Sequence, residues 1–249
     1  MKHKIYILTI LFFYCSLTLF AEEKLAMIND ADGFTNIRSG KGKEFSIIAT
    51  IDKDEFFYCE MTEKDEWIKI IALKWIKGKM VEGYIHRSRI QLVENFSRNK
   101  QKELISQILN RRKIIAETFH NNRNTKNRNY EITDEEISHR ETKYNPILGF
   151  LPKYFCATND ISIIQLFFET MWAEYGSANE IPSFAIGECF VCKPNIIIEQ
   201  LVKINDTEQK ELILNHIEWG LLNYFYPDVD ETGISDNKEF NRLFKMLTK

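Results

Sequence analysis

Between Asp32 and Leu92 the apolar positions fall in short runs, each bounded by glycine or charged residues: Ile47-Ile48-Ala49-Thr50-Ile51, Trp67-Ile68-Lys69-Ile70 and Tyr84-Ile85. Runs of that length with β-branched and aromatic residues predict strands, and their close spacing predicts a small antiparallel sheet that closes into a barrel. Glu55–Met61, carrying Phe56, Phe57, Tyr58 and Cys59, and Trp67–Ile71 are expected to pair as a hairpin across the charged turn Glu63-Lys64-Asp65. The stretch from Leu73 to Met80, with Trp75 and Gly78, is long for a tight turn and predicts a widened hairpin.

After Leu92 the period changes. Leu104, Ile105, Ile108, Leu109, Ile115 and Phe119 lie mostly three and four apart, which puts them on one face of a helix over Ser97–His120. The opposite face carries Arg98, Lys100, Lys102, Arg111, Arg112 and Lys113, a basic stripe read as a solvated surface in preference to a site for anionic polymers. Asn121–Asn129 contains no apolar residue and reads as a loop. Beyond it, Thr133-Asp134-Glu135-Glu136 has the form of a capping box. Asp160 opens a helix that Gly176 stops, Pro182 and Pro194 begin two more, and Asp206 with Gln209 and Asp236 with Glu239 cap the last two. Stripes of that width must pack on one another. The fold class expected is therefore α+β in two domains: residues 22–96 a small β-barrel, 97–130 a connecting basic helix and Asn-rich loop, and 131–249 an all-α bundle. The helical part resembles a HEAT-like stack of pairs, without a self-similar period to fix a repeat.

The first domain resembles the bacterial SH3-like family. The residues that carry the resemblance are Asn36-Ile37-Arg38-Ser39-Gly40-Lys41-Gly42, then Trp67-Ile68-Lys69-Ile70, then the closing Gly83-Tyr84-Ile85-His86-Arg87-Ser88. The resemblance implies a binding module without chemistry of its own, with Gly40 and Gly42 in its long first loop. The Ala-Leu-Tyr-Asp-Tyr motif of the eukaryotic SH3 domains is absent, so recognition of proline-rich ligands is not implied.

The chain opens with Lys2, His3 and Lys4, followed by an uncharged apolar run from Ile5 to Phe20 and the small residue Ala21. This reads as a secretory signal peptide over residues 1–21, the competing reading being an uncleaved N-terminal anchor. Removing 21 of 249 residues leaves 228, and Lys2 and Lys4 leave with them, so 31 cations face 36 acids at a formal charge near −5. That balance disfavours a nucleic-acid partner. Export places Cys59, Cys156, Cys189 and Cys192 in an oxidising compartment, where at least one disulfide is expected. Cys189-Phe190-Val191-Cys192 reads as two buried cysteines on a helix, one of them pairing with Cys156, in preference to a redox or metal motif.

A small barrel cannot bury all its aromatics. Those left outside, beside polar neighbours, would floor a groove of peptide size. The candidate ligand-binding residues are Phe34, Phe45, Trp67, Trp75, Tyr84 and His86, with Arg38 and Glu44 as polar flanks and Arg38 expected to pin the loop. His86, His120, His139 and His216 stand in no His-Glu-x-x-His, Gly-x-Ser-x-Gly or phosphate-loop context, and His216 and Glu218 project from different helix faces. No catalytic residue, metal or cofactor is expected. The expected function is that of an exported, periplasmic or extracellular, non-catalytic binding or adaptor protein. Its barrel would take a peptide-like ligand such as a cell-wall peptide, its helical part would dock a protein, and a membrane would be met only through an uncleaved signal segment. A cell-wall hydrolase or its regulator, and a toxin-neutralising or structural scaffold acting through the helices, are the rival readings.

Overall fold

The computed structural model describes residues 23–61, 64–76, 79–124, 133–174, 179–226, 228–229 and 235–248. The expected signal segment and most of the Asn-rich loop lie outside them. The chain divides into two compact units, one ending at Val93 and the other beginning at Glu94.

The first unit is a seven-stranded antiparallel sheet. Its strands are β1 (Glu23–Ile28), β2 (Phe34–Arg38), β3 (Ile47–Asp52), β4 (Phe57–Glu60), β5 (Trp67–Ile76), β6 (Lys79–His86) and β7 (Ile90–Leu92). They lie in the order β3-β2-β6-β5-β4-β1-β7, an open order with β3 and β7 at its edges. Strict alternation decides which side each residue takes. Ile37 of β2, Ile68, Ile70 and Ala72 of β5, and Val81 and Ile85 of β6 join Ala26, Ile51, Phe57, Cys59 and Leu92 in one buried cluster. Gly83 has to be glycine, because a Cβ there would fall 2.6 Å from the Arg38 carbonyl oxygen and 2.5 Å from Ile37 Cγ2. The absent side chain lets β2 come against β6, where Arg38 pairs with Tyr84.

The hairpin expected to widen at Leu73–Met80 does not. Instead β5 runs on to Ile76 and β6 starts at Lys79, with a register shift between Ala72 and Trp75. The extra residues are rich in strand formers, so they lengthen the ladder and take a bulge where the register slips.

The second unit is helical. Helix α1 (Arg98–Asn124) extends into the stretch read as a loop, because Asn121–Asn124 continue its last turn. Helix α2 (Asp134–His139) opens on the expected capping box, with Thr133 and Glu136 each bonding the other's backbone. A π-helical turn, Arg140–Tyr144, leads into α3 (Asn145–Thr158). Pro146 in its first turn and Pro152 inside it hid α3 from sequence reading. Asn159, left-handed at φ 56°, ends it. Asp160 then caps α4 (Ile161–Thr170), accepting from the Ser162 amide. A 3-10 turn follows to Glu174, and Gly176 lies outside the described residues. The remaining helices are α5 (Ile181–Cys192), α6 (Pro194–Val202), α7 (Thr207–Tyr224) and α8 (Lys238–Leu247). The α8 cap is Asn237 and not Asp236: its Oδ1 accepts from the amides of Glu239 and Phe240.

A disulfide between Cys156 and Cys192 joins α3 to α5, which settles which member of the Cys189/Cys192 pair is used. Cys59 and Cys189 take no part in the bridge, and both are buried. Burial, with the Glu188 carboxylate adding to it, pushes the Cys189 thiol well above its ordinary range.

The basic stripe of α1 turns out to be largely spoken for within its own unit. Lys102 Nζ lies 2.8 Å from Asp160, Arg111 2.8 Å from Glu135, Lys113 2.8 Å from Glu169, and Lys100 3.2 Å from Glu103. Arg112 is buried, its guanidinium 5.1 Å above the Tyr144 ring. These cations tie α1 to α2 and α4.

Candidate binding face

The side of the sheet away from the core gathers most of the aromatic candidates. On β5 the outward residues Trp67, Lys69 and Ile71 stand opposite His86, Tyr84 and Glu82 of β6. The Trp67 and His86 rings meet edge to face, centroids 5.3 Å apart. Both are half-buried, as is Tyr84. The alternation that sends Ile68, Ile70 and Ile85 inward sends these residues out.

The loop from Ser39 to Ser46 borders this strip, and Arg38 holds it. One guanidinium nitrogen of Arg38 donates to two carbonyls, Lys43 at 2.9 Å and Phe45 at 2.7 Å. Ser39 and Ser46 close the base of the loop through their hydroxyls at 3.0 Å and through a backbone bond. Phe45 lays its ring against Gly40, where a Cβ would fall 2.4 Å from it, and Gly42 makes the same room for the Glu44 carboxylate. Neither glycine has a positive φ; each leaves room for a neighbouring side chain. Phe45 and Glu44 remain exposed.

Sequence reading passed over two lysines that complete the face. Lys41 Nζ stands 6.0 Å from the Tyr84 ring centroid and 3.8 Å from Asp65. Asp65 lies in the β4–β5 connection, which Arg87 anchors by donating to the Asp65 carbonyl at 2.8 Å. Lys69 lies between Glu60 at 3.9 Å and Glu82 at 3.8 Å. The period-two step from Trp67 to Lys69 was the signal that would have found Lys69; nothing in the sequence pointed to Lys41 over Tyr84. His86 Nδ1 accepts from the Ser88 amide at 3.3 Å and faces the Ser88 hydroxyl at 2.8 Å. That assignment leaves its other nitrogen as a donor.

Two candidates are not part of this cluster. Phe34 is exposed, but it sits four residues from Arg38 along β2, about 13 Å at the rise of an extended strand. Trp75 pairs with Met80, eight residues along β5 from Trp67 and about 26 Å away; its side chain is outside the described residues. One groove floored by all six aromatics is therefore not formed. Arg38, Glu44, Phe45, Trp67, Tyr84 and His86 make the face, and the opposed charges of Lys41 with Asp65 and Lys69 with Glu60 and Glu82 leave it without a dominant sign.

In the helical unit, the Ser183 hydroxyl lies 2.7 Å from His216 Nδ1. Ser183 is buried at the crossing of α5 and α7, where a Cβ on Gly220 would come within 2.0 Å of the Ser183 carbonyl oxygen. The hydrogen bond joins α5 to α7 beside this close backbone approach. Among the described residues no group of three or more His, Cys, Asp and Glu side chains could hold a metal ion, and no single helix is long and apolar enough to cross a membrane. No protein-family profile, curated protein or solved structure matches the chain.

Proposed function

We propose that the protein is an exported, non-catalytic binding or adaptor protein whose first unit is a bacterial SH3-like module that takes a peptide-like ligand, a cell-wall peptide being the leading candidate. The barrel reading draws support from the single buried cluster, which includes Ile51 of one edge strand and Leu92 of the other. The observation that carries the functional reading is the outward strip Trp67–Tyr84–His86 beside a loop that Arg38 fixes in place. Half-buried rings give an apolar floor, and the mixed charges around them suit a zwitterionic peptide better than a polyanion or a lipid. In the helical unit, Trp219 and Tyr226 are exposed on α7 and just beyond it, which supports a protein partner there.

The test is cosedimentation of the exported protein with purified cell-wall sacculi, with the soluble products analysed in parallel. Binding that drops at least tenfold (~1.4 kcal/mol) in Tyr84→Ala and Arg38→Ala, with far-ultraviolet dichroism unchanged, supports the reading. Release of muropeptides would make the protein a wall hydrolase instead. Binding unaffected by either variant would move recognition off this face.

A further inference from the structure

The Lys41 ammonium sits in a seat that other residues build. One wall is the Tyr84 ring, carried on β6 between Arg38 of β2 and Lys69 of β5. The other is the Asp65 carboxylate. Arg87 fastens the chain at that wall twice, through its side chain to the Asp65 carbonyl at 2.8 Å and through its amide to the Glu66 carbonyl at 2.7 Å. Short hydrogen bonds and a strand ladder thus fix the walls, whereas the ammonium between them is loosely held. It stands 3.8 Å from the carboxylate and 6.0 Å from the ring centroid, each near the outer reach of its kind of contact, and the Lys41 and Asp65 side chains are 55% and 44% exposed. An exposed pair of that length binds its partners weakly. A fixed seat with a weakly held occupant is open to exchange.

The chemistry of the walls selects what can replace Lys41. An aromatic face is negative and Asp65 carries a full negative charge, so a ligand carboxylate or phosphate meets repulsion from both. An uncharged group would take the ammonium from Asp65 and return no charge to it. The neighbouring positions favour a cation as well. Lys69, opposite Tyr84 on β5, is shared by Glu60 and Glu82, so two acids there meet one cation. That surplus draws a positive group toward the seat. The group that already fits is a compact ammonium on a flexible stem.

We propose that the Tyr84–Asp65 seat binds the ammonium group of a peptide side chain, and that Lys41 fills this seat in the free protein and yields it to the ligand. The inference rests on the peptide-binding reading of this face and names the group recognised there. Cosedimentation with purified sacculi, and with sacculi whose free amines have been acetylated, separates the two. The protein should bind the acetylated sacculi roughly fivefold more weakly than the native ones. Lys41→Ala, whose side chain no longer competes, should bind native sacculi roughly threefold more tightly and acetylated sacculi no differently. Asp65→Asn should bind the two alike. The comparison between sacculi needs no variant, so it decides the matter even where a substitution disturbs folding. Equal binding of native and acetylated sacculi by the parent protein overturns the inference and leaves the peptide-binding reading standing; so does a folded Lys41→Ala that binds native sacculi no more tightly. Failure of both the parent and Lys41→Ala to bind either kind of sacculus overturns the wall-peptide reading, and this inference with it.

Discussion

Gly187 of α5 and Gly220 of α7 meet backbone to backbone: a Cβ added to Gly187 would lie 2.5 Å from the Gly220 carbonyl carbon, and one added to Gly220 would lie 2.9 Å from Gly187 Cα and 2.0 Å from the Ser183 carbonyl oxygen. Alanine at Gly220 should gain up to about 1 kcal/mol of helix propensity, yet nothing rigid at the crossing can give way. The clash with backbone atoms outweighs that gain, and Gly220→Ala should destabilise the protein by about 3 kcal/mol. Urea unfolding followed by far-ultraviolet dichroism reads the difference; a variant as stable as the parent would show that the helices part easily at this seam.

The Cys156–Cys192 bridge closes 36 residues that include all of α4. Reducing it, or replacing both cysteines by serine, should lower stability by about 2–4 kcal/mol through the enlarged unfolded ensemble. Thiol titration of the native protein should find Cys59 and Cys189 unreactive until denaturant is added, since both are buried. Immediate labelling of Cys156 and Cys192 would mean that the bridge does not form.

His139 should make folding favour neutral pH. Burial, then the charges of Arg112, Arg111 and Lys143, lower its pKa from 6.5 to about 4, against a weaker opposing pull from Glu135. Between these values the unfolded chain binds a proton that the folded chain refuses. Stability from this residue is thus full above about pH 6.5 and falls as the pH drops toward 4. Following the His139 ring by NMR should place its titration near pH 4, and His139→Gln should flatten the stability profile across that window. A ring that titrates near 6.5 would refute the assignment.

Asp160 acts in the same direction at lower pH. Burial pushes its carboxyl up, but hydrogen bonds from Lys102, Ser162 and Tyr154 together hold it below the usual carboxylate range. A depressed pKa stabilises above the unfolded value, and the contribution is lost as pH falls through the folded one. Asp160→Asn keeps the Ser162 cap and removes the Lys102 pair. It should destabilise by about 1–2 kcal/mol at neutral pH and by less in acid, as chemical denaturation at the two pH values would show.

What the sequence revealed follows the reach of local rules. Short runs of β-branched and aromatic residues marked the strand that begins at Trp67, and capping chemistry marked Thr133, Asp160 and Asp206 as helix starts. Those are effects within a few residues of chain. Helix α3 escaped because Pro152 argues against a helix locally, while Phe150, Leu151 and Phe155, all buried, hold it from outside. The free or paired state of the basic stripe on α1 was equally out of reach, since Asp160 and Glu169 arrive from distant sequence. For the binding face, the surplus of aromatics over the room inside a small sheet singled out Trp67, Tyr84 and His86. The separation of Phe34 and Trp75 from them depends on strand lengths that apolar runs do not fix.

Arg38 sets the state in which a ligand finds the loop. By fastening the carbonyls of Lys43 and Phe45 it immobilises the loop when the chain folds. A ligand then meets a finished mould, and the ordering of the loop, about 1–2 kcal/mol for each residue fixed, is not charged to complex formation. Arg38→Ala should therefore leave the contacting side chains in place yet make association entropically dearer, and calorimetry would register the roughly tenfold loss of affinity as an unfavourable change in entropy.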